Sequence, residues 1–192
     1  MTLAIRDATR ADAGTLLSFI RELAIFEKAE HEVAATVETI ETSMFGPTSV
    51  TRGLICESDG KPVGMAIWFF NYSTWQARNG LYLEDLYVTP NARGLGAGKA
   101  LLRHLAKIAV ESGCGRFEWS VLDWNEPAIG VYDAIGAEPQ KEWIRYRMAG
   151  DKLRDFAEGE AGSARYRRAV KGQVSATNAM PPATRTKATP RL

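Results

Sequence analysis

Residues 83–99 run Leu-Glu-Asp-Leu-Tyr-Val-Thr-Pro-Asn-Ala-Arg-Gly-Leu-Gly-Ala-Gly-Lys. They predict a strand, a loop and the start of a helix. Leu81 to Val88 is an aromatic and branched run of strand type. Gly96 to Glu111 has helical spacing, with Leu101, Leu102, Leu105, Ile108 and Ala109 on one apolar face. Between them Gly94, Gly96 and Gly98 let successive backbone N–H groups turn toward one point, and the helix start adds its positive dipole end. This combination predicts a pyrophosphate cradle. Counting excludes two familiar ones. A dinucleotide fingerprint starting at Gly94 would need its third glycine where Lys99 stands. A P-loop ending at Gly98 would need a glycine where Arg93 stands and a hydroxyl residue where Ala100 stands. What remains is Arg-x-x-Gly-x-Gly, Arg93 to Gly98.

Outward from this segment the chain alternates strand and helix signals. Leu3 to Arg6 is a short strand. Thr9 to Asp12 has capping-box form, ahead of a helix carrying Leu16, Leu17, Ile20, Leu23 and Ala24. Thr36 to Phe45 predicts a second helix, closed by Gly46-Pro47. Arg52 to Glu57 and Pro62 to Phe70 flank Asp59-Gly60, a hairpin signal because those residues accept positive φ. Arg116 to Leu122 reads as a strand, Pro127 to Ile135 as a helix after Asn125, and Trp143 to Met148 as a last strand. The fold class is therefore α/β, with strands and helices mixed (α+β).

The 192 residues suit one domain with a real core. We expect a globular domain over 1–160 and a basic, disordered tail over 161–192, which is rich in Ala, Thr, Pro and Arg and has no acidic residue. Residues 1–160 hold 17 basic and 23 acidic side chains, net −6, a charge that helps concentrate a cationic substrate. The opening residues lack a secretory signal and no run of about 18 apolar residues occurs, so a cytoplasmic, non-membrane protein is expected. Two cysteines and two histidines without ligand spacing predict no metal. A nucleic-acid role for the basic tail is the lesser reading.

The Arg93–Gly98 loop after an apolar strand resembles the acetyl-CoA loop of the GNAT N-acetyltransferase family, and the order of elements over residues 3–150 is similar. The match is nearer to its diamine (spermidine/spermine) and thialysine acetyltransferase branch, through Arg21–Glu27, Tyr82–Leu86, Trp124–Ala128, Val131-Tyr132 and Gly136-Ala137. The resemblance implies a mixed sheet of six to seven strands flanked by helices, acetyl-CoA as co-substrate, a small cationic amine as acceptor, and a homodimer. It implies Tyr132 as general acid and Glu84 as the group that removes a proton from the ammonium, directly or through water. Leu86, Tyr87 and Val88 would hold the thioester and pantetheine by backbone groups, and Arg93, Gly94, Leu95, Gly96, Ala97, Gly98 and Lys99 the pyrophosphate. Ala128 joins that set, while Asn125 divides evenly between a cofactor contact and a helix N-cap.

For the amine, the resemblance points to Phe26, Glu27, Glu84, Glu118, Trp119 and Ser120, since carboxylates and aromatic faces suit a cation. By strand alternation Asp85 would point to the opposite face from Glu84. The segment Ala137 to Trp143 departs from the polyamine enzymes, which leaves polyamine, diamine and lysine-analogue acceptors open. An idle acyl-CoA-binding regulator and a peptide acetyltransferase docking through its tail are the competing readings.

Overall fold

The computed structural model describes residues 2–159. In chain order these form β1 (Leu3–Asp7), α1 (Ala13–Phe26), α2 (Val37–Phe45), β2 (Arg52–Ser58), β3 (Lys61–Ser73), β4 (Arg78–Val88), α3 (Ala97–Glu111), β5 (Phe117–Trp119), α4 (Glu126–Ala134) and α5 (Asp151–Ala157). The chain divides into two compact units, Met1–Glu138 and a second that begins at Pro139.

The first unit holds a five-stranded sheet in the order β1-β2-β3-β4-β5. Neighbours are antiparallel through β4, whereas β4 and β5 are parallel. A parallel pair needs a long crossover, and α3 supplies it. The β2–β3 turn uses Asp59 and Gly60 at positive φ, as their side chains permit. At the start of α1, Asp12 accepts from the Thr9 backbone N–H at 2.7 Å and from both terminal nitrogens of Arg6 at 2.8 Å. Arg6 Nε also donates to Glu57 at 2.8 Å, so one guanidinium ties β1 to β2 and to the entry of α1.

Two apolar clusters cover the two faces of the sheet. Leu54, Ala66, Trp68, Leu81 and Leu83 pack under Leu101 and Leu105 of α3. Ile55, Met65, Ile67 and Tyr87 pack under Leu16 and Phe19 of α1 and Ile40 and Met44 of α2. Fully burying each such side chain contributes about 1.5–3 kcal/mol before chain entropy is counted.

The sheet has one irregularity that matters for the site. Trp68 pairs with Leu83 and Ile67 with Asp85, so Glu84 is an extra residue with no partner across the β3–β4 ladder. A bulge of this kind resets the alternation of the strand. Before it, Leu81 and Leu83 face α3; after it, Leu86 and Val88 do, while Tyr87 faces α1.

The sheet has five strands among the described residues, not six to seven. Trp143 to Met148 forms no strand, and Trp143, Ile144 and Tyr146 are 67%, 76% and 90% exposed. β5 stops at Trp119 rather than Leu122. Branched and aromatic composition favours a pleated surface, but a strand forms only where a neighbour supplies its hydrogen bonds. The second unit contributes α5, which the sequence pattern had not suggested. The tail expected over 161–192 lies outside the described residues.

Candidate active site

A cleft of about 340 Å³ lies between the end of β4, the glycine loop, the start of α3, and α4. Its size is in the range that holds a small-molecule ligand. Leu86 and Val88 form one wall, Gly94 to Lys99 with the exception of Leu95 form the floor, and Ala128, Val131 and Tyr132 close the far side. Gly94 and Gly96 have φ of 82° and 84°, a region that side-chain-bearing residues rarely adopt. Gly96 is the residue from which α3 departs, so the helix begins directly at the cleft with its first N–H groups unpaired. Gly98 differs: a Cβ there would sit 3.8 Å from Leu86 and from Val88, in ordinary contact.

The wall made by β4 has an open edge. β5 pairs with Leu81, Tyr82 and Leu83 only, and the pairing ends where the bulge begins. Leu81 N–H points toward β5, where it donates to Arg116 O at 3.0 Å. After the bulge that direction passes to even-numbered residues: Val88 O accepts from Arg93 Nε at 3.4 Å on this edge, whereas Thr89 N–H bonds back to β3 at Val63. The N–H groups of Leu86 and Val88 therefore face the gap. An extended ligand laid there could pair as an added strand.

Tyr132 stands over the same face. Its ring meets Trp119 at a centroid distance of 5.0 Å and packs against the α3-side core. Burial pushes its phenol above the ordinary value, so it remains an O–H donor at neutral pH.

The opposite, α1-facing side of the gap is acidic. Asp85 is half-buried there beside Glu84 and Glu27, and burial, then repulsion from Glu84, then from Glu27, pushes its carboxyl up to about 6. Glu27 caps the end of α1; the residue is exposed as a whole, yet partial desolvation of its carboxyl raises its pKa too. Further along the same face, Tyr82 Oη lies 3.0 Å from Ser120 Oγ, and Glu118 Oε2 accepts from Asn71 Nδ2 at 3.0 Å and pairs with Arg116 Nε at 2.8 Å. Phe26 packs on Trp124 at 5.6 Å, with the Arg93 guanidinium 5.3 Å above its ring.

Most of the residues expected at the site thus gather around one gap, with differences in detail. Asp85 pairs with Ile67 and so lies on the α1-facing side, two residues after Leu83 on the α3-facing side, because the bulge resets the alternation. Tyr87 turns its ring into the α1-side core, 5.9 Å from Phe19, and donates to Glu22 at 2.8 Å; burial, then that bond, pushes its phenol up to about 12. Leu95 does not line the cleft. Asn125 accepts from Ala128 N–H at 3.3 Å as an N-cap and is likewise outside the lining. Trp119 faces Tyr132, across the sheet from Glu118. The sequence reading had not singled out Tyr82, Asn71 or Arg116; the period-two alternation Arg116, Glu118, Ser120 was the available signal.

Comparison with known proteins agrees with this geometry. The acetyltransferase (GNAT) family profile matches residues 17–137. A thialysine N-epsilon-acetyltransferase of Mus musculus is 37% identical over 80% of this chain and 96% of its own length. A spermidine/spermine N(1)-acetyltransferase-like protein of Homo sapiens is 32% identical over 80% of this chain, although that stretch is 23% of the human protein. Among solved structures, an integron cassette protein from the mobile metagenome of V. cholerae superposes with a TM-score of 0.70 at 26% identity, covering 82% of this chain and 98% of its own. AAC(6')-Iy, solved with a bisubstrate CoA analogue, superposes with a TM-score of 0.64 at 18% identity over 78% of this chain and all of its own. A glycine cradle at a helix start, a strand edge left open by a bulge and a tyrosine above it are what a thioester-linked nucleotide requires, and with the profile match they settle the class: the chain belongs to the GNAT acetyltransferase family and is an N-acetyltransferase that uses acetyl-CoA.

Proposed function

We propose that the protein transfers the acetyl group of acetyl-CoA to a primary amine of a small cationic substrate, by direct attack within a ternary complex. The observation that carries this reading is the gap between β4 and β5, with the cofactor cleft and Tyr132 on one side and Glu27, Glu84 and Asp85 on the other. The cleft residues fit acetyl-CoA: the glycine loop and the start of α3 would hold its pyrophosphate by backbone N–H groups, with Lys99 adding charge. Acetyl-CoA supplies the activated acyl group.

The chain's own residues then have distinct tasks. An alkyl ammonium titrates near 10 and has no lone pair until it loses a proton. Glu84, beside the half-buried Asp85, draws the ammonium to the gap and takes that proton, directly or through water. Leu86 N–H donates to the thioester carbonyl oxygen, where negative charge grows as the amine attacks. Tyr132 donates its phenolic proton to the departing sulfur. Phe26 and Trp124 supply aromatic faces for the cation.

The kinship with thialysine and spermidine/spermine enzymes supports an amine acceptor of this size. The test is release of CoA thiol from acetyl-CoA with thialysine, lysine, putrescine, spermidine and a basic peptide. Turnover of a small amine is expected. Turnover of the peptide alone would move the assignment to protein acetylation, and acetyl-CoA binding without turnover of any amine would overturn it.

A further inference from the structure

We propose that Arg93 makes the binding of cofactor and amine mutually dependent: its side chain holds one group that the cofactor needs and one that the amine needs, so that either ligand, on binding, releases the group required by the other. This rests on the amine-acetyltransferase reading and adds a positioning residue to it.

Arg93 stands at the start of the glycine loop and lines the cleft, yet its side chain turns back onto β4 and the end of α1. Its Nε donates to Val88 O at 3.4 Å. Its guanidinium carbon lies over the Phe26 ring, 5.3 Å from the centroid, inside the limit of about 6 Å for a cation–π contact. It also acts on the Tyr87 phenol, whose hydroxyl donates to Glu22 of α1 at 2.8 Å. These partners are a carbonyl, a ring and a phenol. No carboxylate pairs with Arg93 among the described residues. A cation held only by uncharged groups is readily drawn to an anion.

Each contact withholds something from a ligand. The N–H and C=O of one strand residue point to the same side, so Val88 O faces the gap together with Val88 N–H. An extended pantetheine that pairs with β4 as an added strand uses both groups. While Nε holds the oxygen, half of that pairing is closed. On the other side, Phe26 is 37% exposed and offers its ring to the amine, with Trp124 beside it at 5.6 Å. The guanidinium already covers this ring, and a second cation brought there meets like charge.

One movement of Arg93 therefore serves both ligands. Guanidinium and phosphate form charge-assisted, bidentate hydrogen bonds, which a carbonyl and an aromatic ring do not match. Turning toward a pyrophosphate at the start of α3, Arg93 leaves Val88 O and Phe26 together. An ammonium that reaches Phe26 first displaces the same side chain and frees the same oxygen. By linkage, each ligand raises the affinity of the other by one common factor. A cation–π contact at an exposed site corresponds to about a two- to fivefold change in an equilibrium constant, which sets the scale of that factor.

The experiment is calorimetric titration of CoA, which does not acetylate amines, into the protein alone and into the protein saturated with whichever of thialysine, putrescine or spermidine is turned over fastest. In the wild type the amine should tighten CoA binding about threefold or more. Arg93→Met keeps the length of the side chain without its charge and should abolish this effect of the amine. Phe26→Leu should abolish it too, and should bind CoA in the absence of amine at least as tightly as the wild type, because the guanidinium has lost its ring. Should Arg93→Met fail to fold or to bind CoA, Phe26→Leu carries the test. A role for Arg93 confined to the pyrophosphate would weaken CoA binding equally with and without amine. That result, or CoA binding in the wild type that the amine leaves unchanged, overturns the proposal while amine acetylation stands. Failure to turn over any small amine would instead overturn the reading on which it rests, and the proposal with it.

Discussion

Asp85 pairs with Ile67 and Leu83 with Trp68, so Glu84 stands between them without a partner across the β3–β4 ladder. This one unpaired residue turns Asp85 to the α1-facing side, two residues after Leu83 on the other. Asp85 is thereby buried at the point where β5 departs, with Glu84 and Glu27 near enough to repel its charge.

Burial of Asp85, and then its repulsion by Glu84 and Glu27, has a measurable cost in stability. Asp85 is raised from 3.8 to about 6, so the native state binds its proton more tightly than the unfolded chain does. That contribution is complete below pH 3.8 and disappears as pH rises through about 6. At pH 8 the ionised group is a burden of about 1–3 kcal/mol. Asp85→Asn should therefore raise the unfolding free energy in urea by that amount at pH 8, with the gain shrinking toward zero near pH 4. Equal stability of the two proteins at pH 8 would show that neither burial nor the neighbouring carboxylates burden the ionised Asp85.

The role proposed for Tyr132 makes a separate prediction. Tyr132→Phe keeps the ring against Trp119 and removes the proton. Turnover should fall by about 10²–10³-fold, the scale of general acid catalysis, with the acetyl-CoA dissociation constant nearly unchanged. Unchanged turnover would remove the phenol from the reaction.

The three loop glycines should not behave alike. Gly96→Ala meets no steric obstacle but must hold a left-handed backbone, which costs about 1–2 kcal/mol. Acetyl-CoA should bind roughly 5- to 30-fold more weakly, and Gly94→Ala should behave similarly. Gly98→Ala, with negative φ and a Cβ at ordinary contact distance, should change affinity less than threefold. Titration calorimetry on the three variants separates backbone conformation from space as the reason for the motif.

At the other end of the sheet, Arg6 holds the Asp12 carboxyl far below the usual carboxylate range through two hydrogen bonds. The native state therefore binds the Asp12 proton more weakly than the unfolded chain. The resulting stability is present above pH 3.8 and lost as pH falls below it. Asp12→Asn should lower the unfolding free energy by about 1–3 kcal/mol at pH 7, with a smaller loss at pH 3. A loss of the same size at both values would point to packing rather than charge.

The sequence made the cradle legible because its requirements are local: glycines that accept positive φ, a preceding apolar strand and an amphipathic helix after it. The β2–β3 hairpin and the entry to α1 were readable on the same grounds. The bulge at Glu84 was not, since it depends on how Leu83 and Asp85 register against Trp68 and Ile67 on the neighbouring strand. Register also decides which way the neighbouring side chains face: Asp85 shares the α1-facing side with Ile67, the Tyr87 ring lies beside Phe19 in the core, and Trp119 faces Tyr132 across the sheet from Glu118. Arg116 escaped notice because its meaning comes from Gly80, on another strand, which lets it close over toward Asn71.

The gap between β4 and β5 separates two differently built sides, the cleft with Tyr132 on one and the carboxylates of Glu27 and Asp85 on the other. The cleft side is bounded by Leu86, Val88, the glycine loop, the start of α3 and Tyr132, whereas the other side carries polar and charged side chains from α1, β3, β4 and β5. The two halves are separately adjustable. Asn71, Tyr82, Arg116 and Glu118 lie outside the lining of the cleft, so substitutions among them leave its walls unchanged.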